Sequence, residues 1–429
     1  MSLLKNILNI SNHEWRPVVF SFCYYFCLMG GYFTLRPIRD EMGIQAGVEN
    51  MQWLFTGTFV IMLLLVPLFG FLTKKVSRNR LVPAIYIFFA LNILAFYIAF
   101  QTLESAALSM TFFIWLSVFN LFVISIFWSF NSDFFTSDQA KRLYGPITAG
   151  GSSGAIAGPV IATFFVGTIG VTSLLLISFV FMTLATLCAI QMTKVEGLSN
   201  ERKLVTSMNG NIWEGLRLIS RSPILKQICL FVLLYTTIST FLYFEQAHII
   251  SKAFSSSSDR TAYFGARDLL VNVFTLIFQF FLTGKIVRKW GVIFCLMLVP
   301  ALSAFSFLSL SLSQSVYLLL VIQVVYGSLN FAVQRPTREM LFTSVTAEER
   351  YRSKNFIDTA VYRGGDAIGS WLFTGLSQVV GSLQIIAFVT IPIALTWVAV
   401  GFKAGKLFNY KTRKFHETSN EVIITKKSA

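Results

Sequence analysis

PVVFSFCYYFCLMGGYFTL, running from Pro17 to Leu35, is followed at once by Arg36, Pro37, Ile38, Arg39, Asp40 and Glu41. The run carries no charge and has the length a helix needs to cross a hydrocarbon core, about 20 residues. Four charges then sit at its mouth. Far along the chain a second apolar run, Val316 to Gln334, ends in Arg335, Pro336, Thr337, Arg338 and Glu339, the same RPxR[DE] pattern. The fold follows from how many such runs there are and which side each charged end faces.

Of the 429 residues, 55% are hydrophobic, 44 are Phe and only 13% are charged; the mean hydropathy is +0.67. A soluble core has no use for so much apolar surface, so the chain reads as a polytopic membrane protein whose surroundings are a lipid bilayer. Barrel strands would instead alternate in hydrophobicity over about 10 residues. Polar Asn12, His13, Glu14 and Arg16 precede the first run and no small-residue cleavage site follows it, so no removable signal peptide is expected. All five cysteines fall inside apolar runs, where a thiol behaves as a small hydrophobe, and the three histidines are scattered. Neither a disulfide nor a metal site is expected, and no cofactor.

Twelve apolar runs are read as transmembrane helices: 17–35, 53–73, 81–100, 109–130, 146–167, 171–192, 227–250, 268–284, 292–311, 316–334, 355–380 and 384–405. With a cytoplasmic N-terminus, the inner loops hold Lys74, Lys75, Arg78, Arg80, Lys141, Arg142, Lys285, Arg288, Lys289, Arg350, Arg352 and Lys354, and the tail beyond Lys403 is basic as well. The outer loops hold little beyond Arg36, Arg39, Lys252, Arg260 and Arg267. That asymmetry is the positive-inside rule, so both termini are assigned to the cytoplasm. The formal charge of +15 is therefore mostly topological and calls for no nucleic acid.

The longest polar stretch, 193–226, splits the chain into a six-helix bundle (1–192) and a second (227–405), with a basic cytoplasmic tail at 406–429. Within the linker, Ile212, Trp213, Leu216, Leu218 and Ile219 alternate with Glu214, Arg217 and Arg221, the pattern of an amphipathic helix on the inner interface. The halves also match each other. Phe71 to Arg78 answers Phe281 to Arg288, Asn120 answers Asn330 at the same offset, and Gly154 to Gly158 answers Gly365 to Gly369, displaced by one residue more. A duplicated six-helix unit explains all three. The expected fold is an all-α membrane protein of twelve transmembrane helices in the 6+6, pseudo-twofold arrangement of the major facilitator superfamily.

Several strings carry a closer resemblance. They are YFTLRPIRDEMG (Tyr32 to Gly43), VFNLF (Val118 to Phe122), FWSF (Phe127 to Phe130), AKRLYG (Ala140 to Gly145) with Gly150 and Gly151, RPTRE (Arg335 to Glu339), KNFID (Lys354 to Asp358) and YRGGD (Tyr362 to Asp366). In these the chain resembles the ATP:ADP antiporter (nucleotide translocase) family, in its bacterial, major-facilitator-like members. The resemblance implies exchange of nucleotides, and a central path lined by the first, fourth, seventh and tenth runs.

Charges inside apolar runs cost about 2.5 to 3.5 kcal/mol each on insertion scales and so need a reason. Arginine suits an anionic substrate, because its planar fork binds phosphate or carboxylate through two parallel hydrogen bonds and never loses its charge. Arg36, Arg335, Arg338 and Arg363 are the candidates, with Tyr32, Asn120 and Tyr362 completing the substrate-binding set; Tyr32, Tyr362 and Trp128 have ring faces on which a base could stack. Arg39, Asp40, Glu245, Asp358 and Asp366 are candidate gating or coupling groups. Arg363 and Asp366 are i, i+3 neighbours that can neutralise each other; Arg36 and Asp40, at i, i+4, can do so if the helix continues through Pro37. A gate is expected in which Arg36 or Arg39 pairs with Glu245.

No enzyme is expected: there is no G-x-x-x-x-G-K-[ST] loop, since Gly284-Lys285 is followed by Ile and Gly405-Lys406 by Leu. The reading is a monomeric secondary transporter of a small anionic metabolite, a nucleotide by resemblance, that works by alternating access. Two alternatives stand beside it: a proton-coupled carrier of another organic anion, with Glu245, Asp358 or Asp366 as the proton site, and a non-transporting sensor or scaffold.

Overall fold

The structure, a computed structural model, describes residues 11, 14–75, 78–194 and 212–428. The first six spans are α1 (Trp15–Gln45), α2 (Met51–Lys75), α3 (Arg78–Thr102), α4 (Ala106–Phe134), α5 (Ser137–Ile169) and α6 (Ser173–Thr193). A short helix, α7 (Ile212–Arg221), precedes α8 (Pro223–Ala253) and α9 (Ser257–Phe278). The remaining segments are α10 (Gly284–Leu312), α11 (Val316–Leu329), α12 (Arg335–Leu341), α13 (Ala347–Phe356), α14 (Tyr362–Val380) and α15 (Leu383–Ser428). Every one of these is helical, as the apolar periodicity requires. Among the described residues, ten stretches are long and apolar enough to cross a membrane by length and composition. One of them, Ser257–Leu312, holds two of the expected spans, because the helix breaks at Gly291, whose φ of 75° is open to glycine and strained for other residues. The eleventh expected span, 355–380, is too polar for that count and is found as α13 and α14.

Among the described residues, three π-helical turns, Gln279–Thr283, Asn330–Gln334 and Ile357–Val361, interrupt the second half. Each inserts extra backbone into a helix, a feature frequent at functional sites. The first two are tied together by Thr283, whose hydroxyl donates to the Ala332 carbonyl at 2.9 Å. Several expected limits move. The eighth span begins at Ser257 and not at 268, so Arg260 and Arg267 belong to a helix rather than to a loop. The basic stretch expected as a separate tail continues α15 to Ser428. The linker residues 195–211, and the side chains of Lys74, Lys75, Arg78, Arg80 and Trp213, lie outside the described residues.

By contacts the chain forms two compact units, Met1–Ser207 with Ile250–Asn272, and Met208–Ile249 with Val273–Ala429. In the first, α1 is central and packs on α4, α5 and α6. It buries Tyr24, Leu28, Leu35 and Ile38 almost completely. Its contact with α5 is backbone to backbone: a Cβ added to Gly150, Gly154 or Gly158 would fall within 3 Å of main-chain atoms of Phe22, Phe26 or Gly30. The small-residue stripe thus serves close helix approach. The second unit repeats the device, with Gly365 and Gly369 of α14 set against Thr236 and Thr237 of α8. Span five on span one and span eleven on span seven is the pairing a duplication requires. The amphipathic helix α7 buries Ile219 and packs on α13, where Gly215 lies against Phe356 and Arg352.

The start of α1 is anchored electrostatically. Glu14, 3% exposed, accepts from Arg142 at 2.9 Å, Gln139 at 3.1 Å and the Ser11 amide at 3.0 Å. Burial alone would raise its pKa; the Arg142 guanidinium and the two further donors outweigh that and bring it from the ordinary 4.5 down to about 2.

Candidate functional site

The RPIRDE end of α1 stays helical through Pro37. Membrane helices tolerate such a residue when neighbours satisfy the freed backbone. Helical geometry turns its charges toward the start of α9, within the first unit. Arg260 donates to both oxygens of Glu41, at 2.6 and 2.7 Å. Arg267 bridges Asp40 and Asp268, each at 2.8 Å. Arg39 donates to Asp40 at 2.8 Å and lies over the Phe113 ring at 4.7 Å, and Arg36 sits 3.4 Å from Asp268. Gln45 joins the set by donating to Glu41 at 3.1 Å and to the Ser257 hydroxyl at 3.2 Å. Asp40, Glu41, Arg267 and Asp268 are all buried. Four arginines therefore meet three carboxylates, and nearly all their charge is spent internally.

The second unit holds a different arrangement around the other RPxR[DE] end. Arg338 lies between Glu339 at 3.0 Å and Asp358 at 3.4 Å, while Lys354 reaches Glu339 at 2.5 Å. Those four charges neutralise one another. Arg335, one turn back, has no carboxylate within ion-pair distance among the described residues, and its side chain is exposed. It lies over the Phe331 ring at 4.8 Å and lines a narrow cleft with Tyr235, Asn330 and Gln334. Asn330 donates to the Tyr235 hydroxyl at 3.0 Å, and the Tyr235 and Tyr362 rings are 5.9 Å apart. Arg363 sits over the Tyr362 ring at 5.5 Å and pairs with Asp366 at 3.4 Å. The Asn330–Gln334 π turn comes immediately before Arg335. Chemically this is a guanidinium with no carboxylate in ion-pair contact among the described residues, held near the Tyr362 side chain and an ordered amide, a site able to take a phosphate or carboxylate through paired hydrogen bonds.

The structure sorts the expected residues into these groups. Arg36, Arg39 and Asp40 belong to the first cluster, where Asp40 takes Arg39 and Arg267 rather than Arg36. Arg335, Arg338, Asp358, Tyr362, Arg363 and Asp366 gather in the second unit. Tyr32 stacks edge-on with Phe33, and Trp128 packs between Tyr25 and Tyr144. Asn120 is half-buried in α4, and its side-chain oxygen has no hydrogen-bond partner among the described residues. Glu245 is fully buried, and neither carboxylate oxygen has a hydrogen-bond partner among the described residues. Sequence reasoning missed Glu41, Arg260, Arg267 and Asp268 as partners, and Tyr235 as the ring beside Tyr362. The i, i+7 spacing of Arg260 and Arg267, one helix face, was the signal for an earlier start to α9.

The model of the family described as Major Facilitator Superfamily matches residues 18–370. ADP,ATP carrier protein 1 of Chlamydia muridarum (strain MoPn / Nigg) is similar at 22% identity over 478 residues, covering 93% of this chain and 90% of that protein. The protein of the same name from Chlamydia trachomatis serovar D matches to the same extent. Among solved structures, a bacterial homologue of the iron transporter ferroportin superposes with a TM-score of 0.67 at 13% identity over 92% of this chain and 99% of that one. The nucleoside transporter NupG gives 0.63 at 13% identity over 94% and 99%. With twelve helical spans, a duplicated unit and a family match over most of its length, the chain belongs to the Major Facilitator Superfamily and is a multi-pass membrane transporter.

Proposed function

We propose that the chain carries an organic anion across a bacterial inner membrane by alternating access, that the anion is a nucleotide of the ATP/ADP type, and that exchange of one nucleotide for another is a mode of its transport. The observation that carries this reading is Arg335, a guanidinium with no carboxylate partner beside Tyr235 and Tyr362. Among the described residues the other arginines of the two clusters are paired with carboxylates, and that one is left to bind an anion. Arg363, shared with Asp366, is the second phosphate contact. The similarity to ADP,ATP carrier proteins supports the nucleotide as the anion.

The test is counterflow into proteoliposomes. Vesicles preloaded with unlabelled ADP or ATP are expected to take up labelled ATP at a rate that protein-free vesicles do not reach, and Arg335→Gln is expected to slow it. Absence of uptake for every nucleotide tried would remove the nucleotide reading.

A further inference from the structure

A cavity of about 510 Å³ opens within the first compact unit, at the end of the bundle where α1 and α3 finish and α4 and α6 begin. That volume is in the range of small-molecule sites. The cavity shares Gln45 and Ser257 with the first charged cluster, but none of that cluster's arginines lines it. Its walls are of two kinds. Ile38, Met42 and Leu175, all buried, make an apolar side together with Phe100. At the rim Leu103 is 58% exposed, so apolar surface continues outward for a hydrocarbon chain to follow.

The other side is polar and is built from the starts of two long helices, α4 and α6, of 29 and 21 residues. A helix start leaves backbone N–H groups without intrahelical partners and carries a partial positive charge. At α4 the Ser105 hydroxyl accepts from the Ala107 amide at 3.2 Å, whereas Thr172, which precedes α6, makes no such side-chain cap. Ser109 is 4% exposed and lines the cavity, and its hydroxyl has no hydrogen-bond partner among the described residues. A buried hydroxyl left in that state is disfavoured, so it calls for an acceptor from outside the chain. Among the described residues the one ionisable side chain in the lining is Glu104, which is exposed at the rim. Gln45 donates from its amide nitrogen to Glu41 at 3.1 Å and Ser257 at 3.2 Å, which leaves its carbonyl oxygen to accept. A simple anion would meet Glu104 with no arginine or lysine in the lining to offset it, and a simple cation would leave the two helix starts and Ser109 unanswered.

We propose that this cavity binds the headgroup of a phospholipid that carries a primary ammonium, a phosphatidylethanolamine. Its phosphate accepts from Ser109, Thr172 and the free amides at the starts of α4 and α6, its ammonium donates to Glu104 and the Gln45 carbonyl, and an acyl chain leaves along Ile38, Leu175 and Leu103. The cavity lies where spans end, which is the level of the headgroups in a bilayer.

The experiment is native mass spectrometry of the purified, delipidated full-length protein. Its probes are phosphatidylethanolamine, phosphatidylcholine and phosphatidylglycerol of identical acyl chains, and glycerophosphoethanolamine, the same headgroup without chains. Wild type is expected to retain phosphatidylethanolamine above the other two lipids and not to retain the chainless headgroup. Glu104→Gln is expected to weaken phosphatidylethanolamine about 2- to 5-fold, the scale of an exposed ion pair, and Glu104→Lys to turn the preference toward phosphatidylglycerol. Ser109→Val is expected to weaken all three lipids, because the phosphate is common to them. Equal retention of the three lipids by wild type, unchanged by Glu104→Lys, would mean lipid that merely surrounds the protein and would overturn the proposal. Retention of glycerophosphoethanolamine as strong as that of the lipid would overturn the lipid as occupant. Should Ser109→Val melt well below wild type, Ala106→Trp decides, since Ala106 is exposed and lines the cavity: loss of the phosphatidylethanolamine preference supports the proposal, and its persistence overturns it. No arm depends on a transported substrate, so the outcome stands apart from the counterflow test.

Discussion

Arg260 grips Glu41 through both carboxylate oxygens, Nε to Oε2 at 2.6 Å and Nη2 to Oε1 at 2.7 Å, and Glu41 is fully buried while it does so. Removing one partner of such a pair leaves the other charge buried and uncompensated, which costs about 3 to 5 kcal/mol. Arg260→Gln and Glu41→Gln are each expected to lower unfolding free energy on that scale, measured by denaturant titration in detergent. The double substitution is expected to cost clearly less than the two single effects added, because the second change removes a charge already stranded by the first. Arg260→Lys keeps the charge but loses the fork and should fall between wild type and Arg260→Gln.

The contact between α5 and α1 makes a prediction about a single methyl group. A Cβ on Gly154 would lie within 3 Å of main-chain atoms of Phe26 and Gly30, and backbone cannot step aside as a side chain can. At Gly365, the counterpart in the second unit, the nearest obstacle is the Thr236 side chain, which can rotate. Overpacking costs about 1 to 3 kcal/mol. Gly154→Ala is expected near the top of that range and Gly365→Ala near the bottom, read as the difference in thermal unfolding temperature between the two variants.

The fold was largely legible because membrane insertion writes itself in one dimension: a span needs its length of apolar residues whatever it packs against, and basic loops report topology. The glycine stripe and the repeat were legible for a similar reason, since close approach requires small residues at helical spacing. Partners were not. Arg260 and Arg267 read as loop charges because apolar content rises only after Asp268, whereas the polar turns from Ser257 onward are helical through pairing with Asp40 and Glu41. Apolar periodicity cannot register a helix whose first turns are held by charge. The π turns before Arg335 and within Ile357–Val361 were equally silent, because an inserted residue changes the register without changing the composition. That the carboxyl of Glu245 has no hydrogen-bond partner among the described residues could not be read at all, since a carboxylate in a span looks the same in sequence whatever packs beside it.

At the start of α1, pH should act through Glu14. Its carboxyl is brought from the ordinary 4.5 to about 2 by Arg142, Gln139 and the Ser11 amide acting against burial. A carboxyl whose pKa is lower in the folded than in the unfolded state contributes stability that is complete above the unfolded value and is lost as pH falls through the folded one. Wild type should therefore lose stability progressively as pH drops from about 4.5 toward 2, and Glu14→Gln should be less stable at neutral pH but flatter across that window. Equal slopes for the two proteins in thermal melts would show that the anchor contributes nothing.

The two arginines of RPTRE separate binding from architecture. Arg338 is neutralised by Glu339 and Asp358, so Arg338→Gln strands two acidic groups and is expected to lower stability first and transport second. Arg335 has no carboxylate in ion-pair contact among the described residues and meets the Tyr362 side chain instead, so Arg335→Gln strands no charge and should leave the melting temperature close to wild type. Its cost is expected in substrate affinity. A hydrogen bond to a charged group contributes about 1.5 to 3 kcal/mol, which is roughly a 10- to 100-fold rise in the half-saturating concentration of labelled ATP in counterflow. Lysine restores the charge without the planar fork, so Arg335→Lys should recover part of the affinity for a phosphorylated substrate and not all of it. A melting temperature that falls with Arg335→Gln while half-saturation stays at the wild-type value would mean that this guanidinium holds the helix end and not the anion.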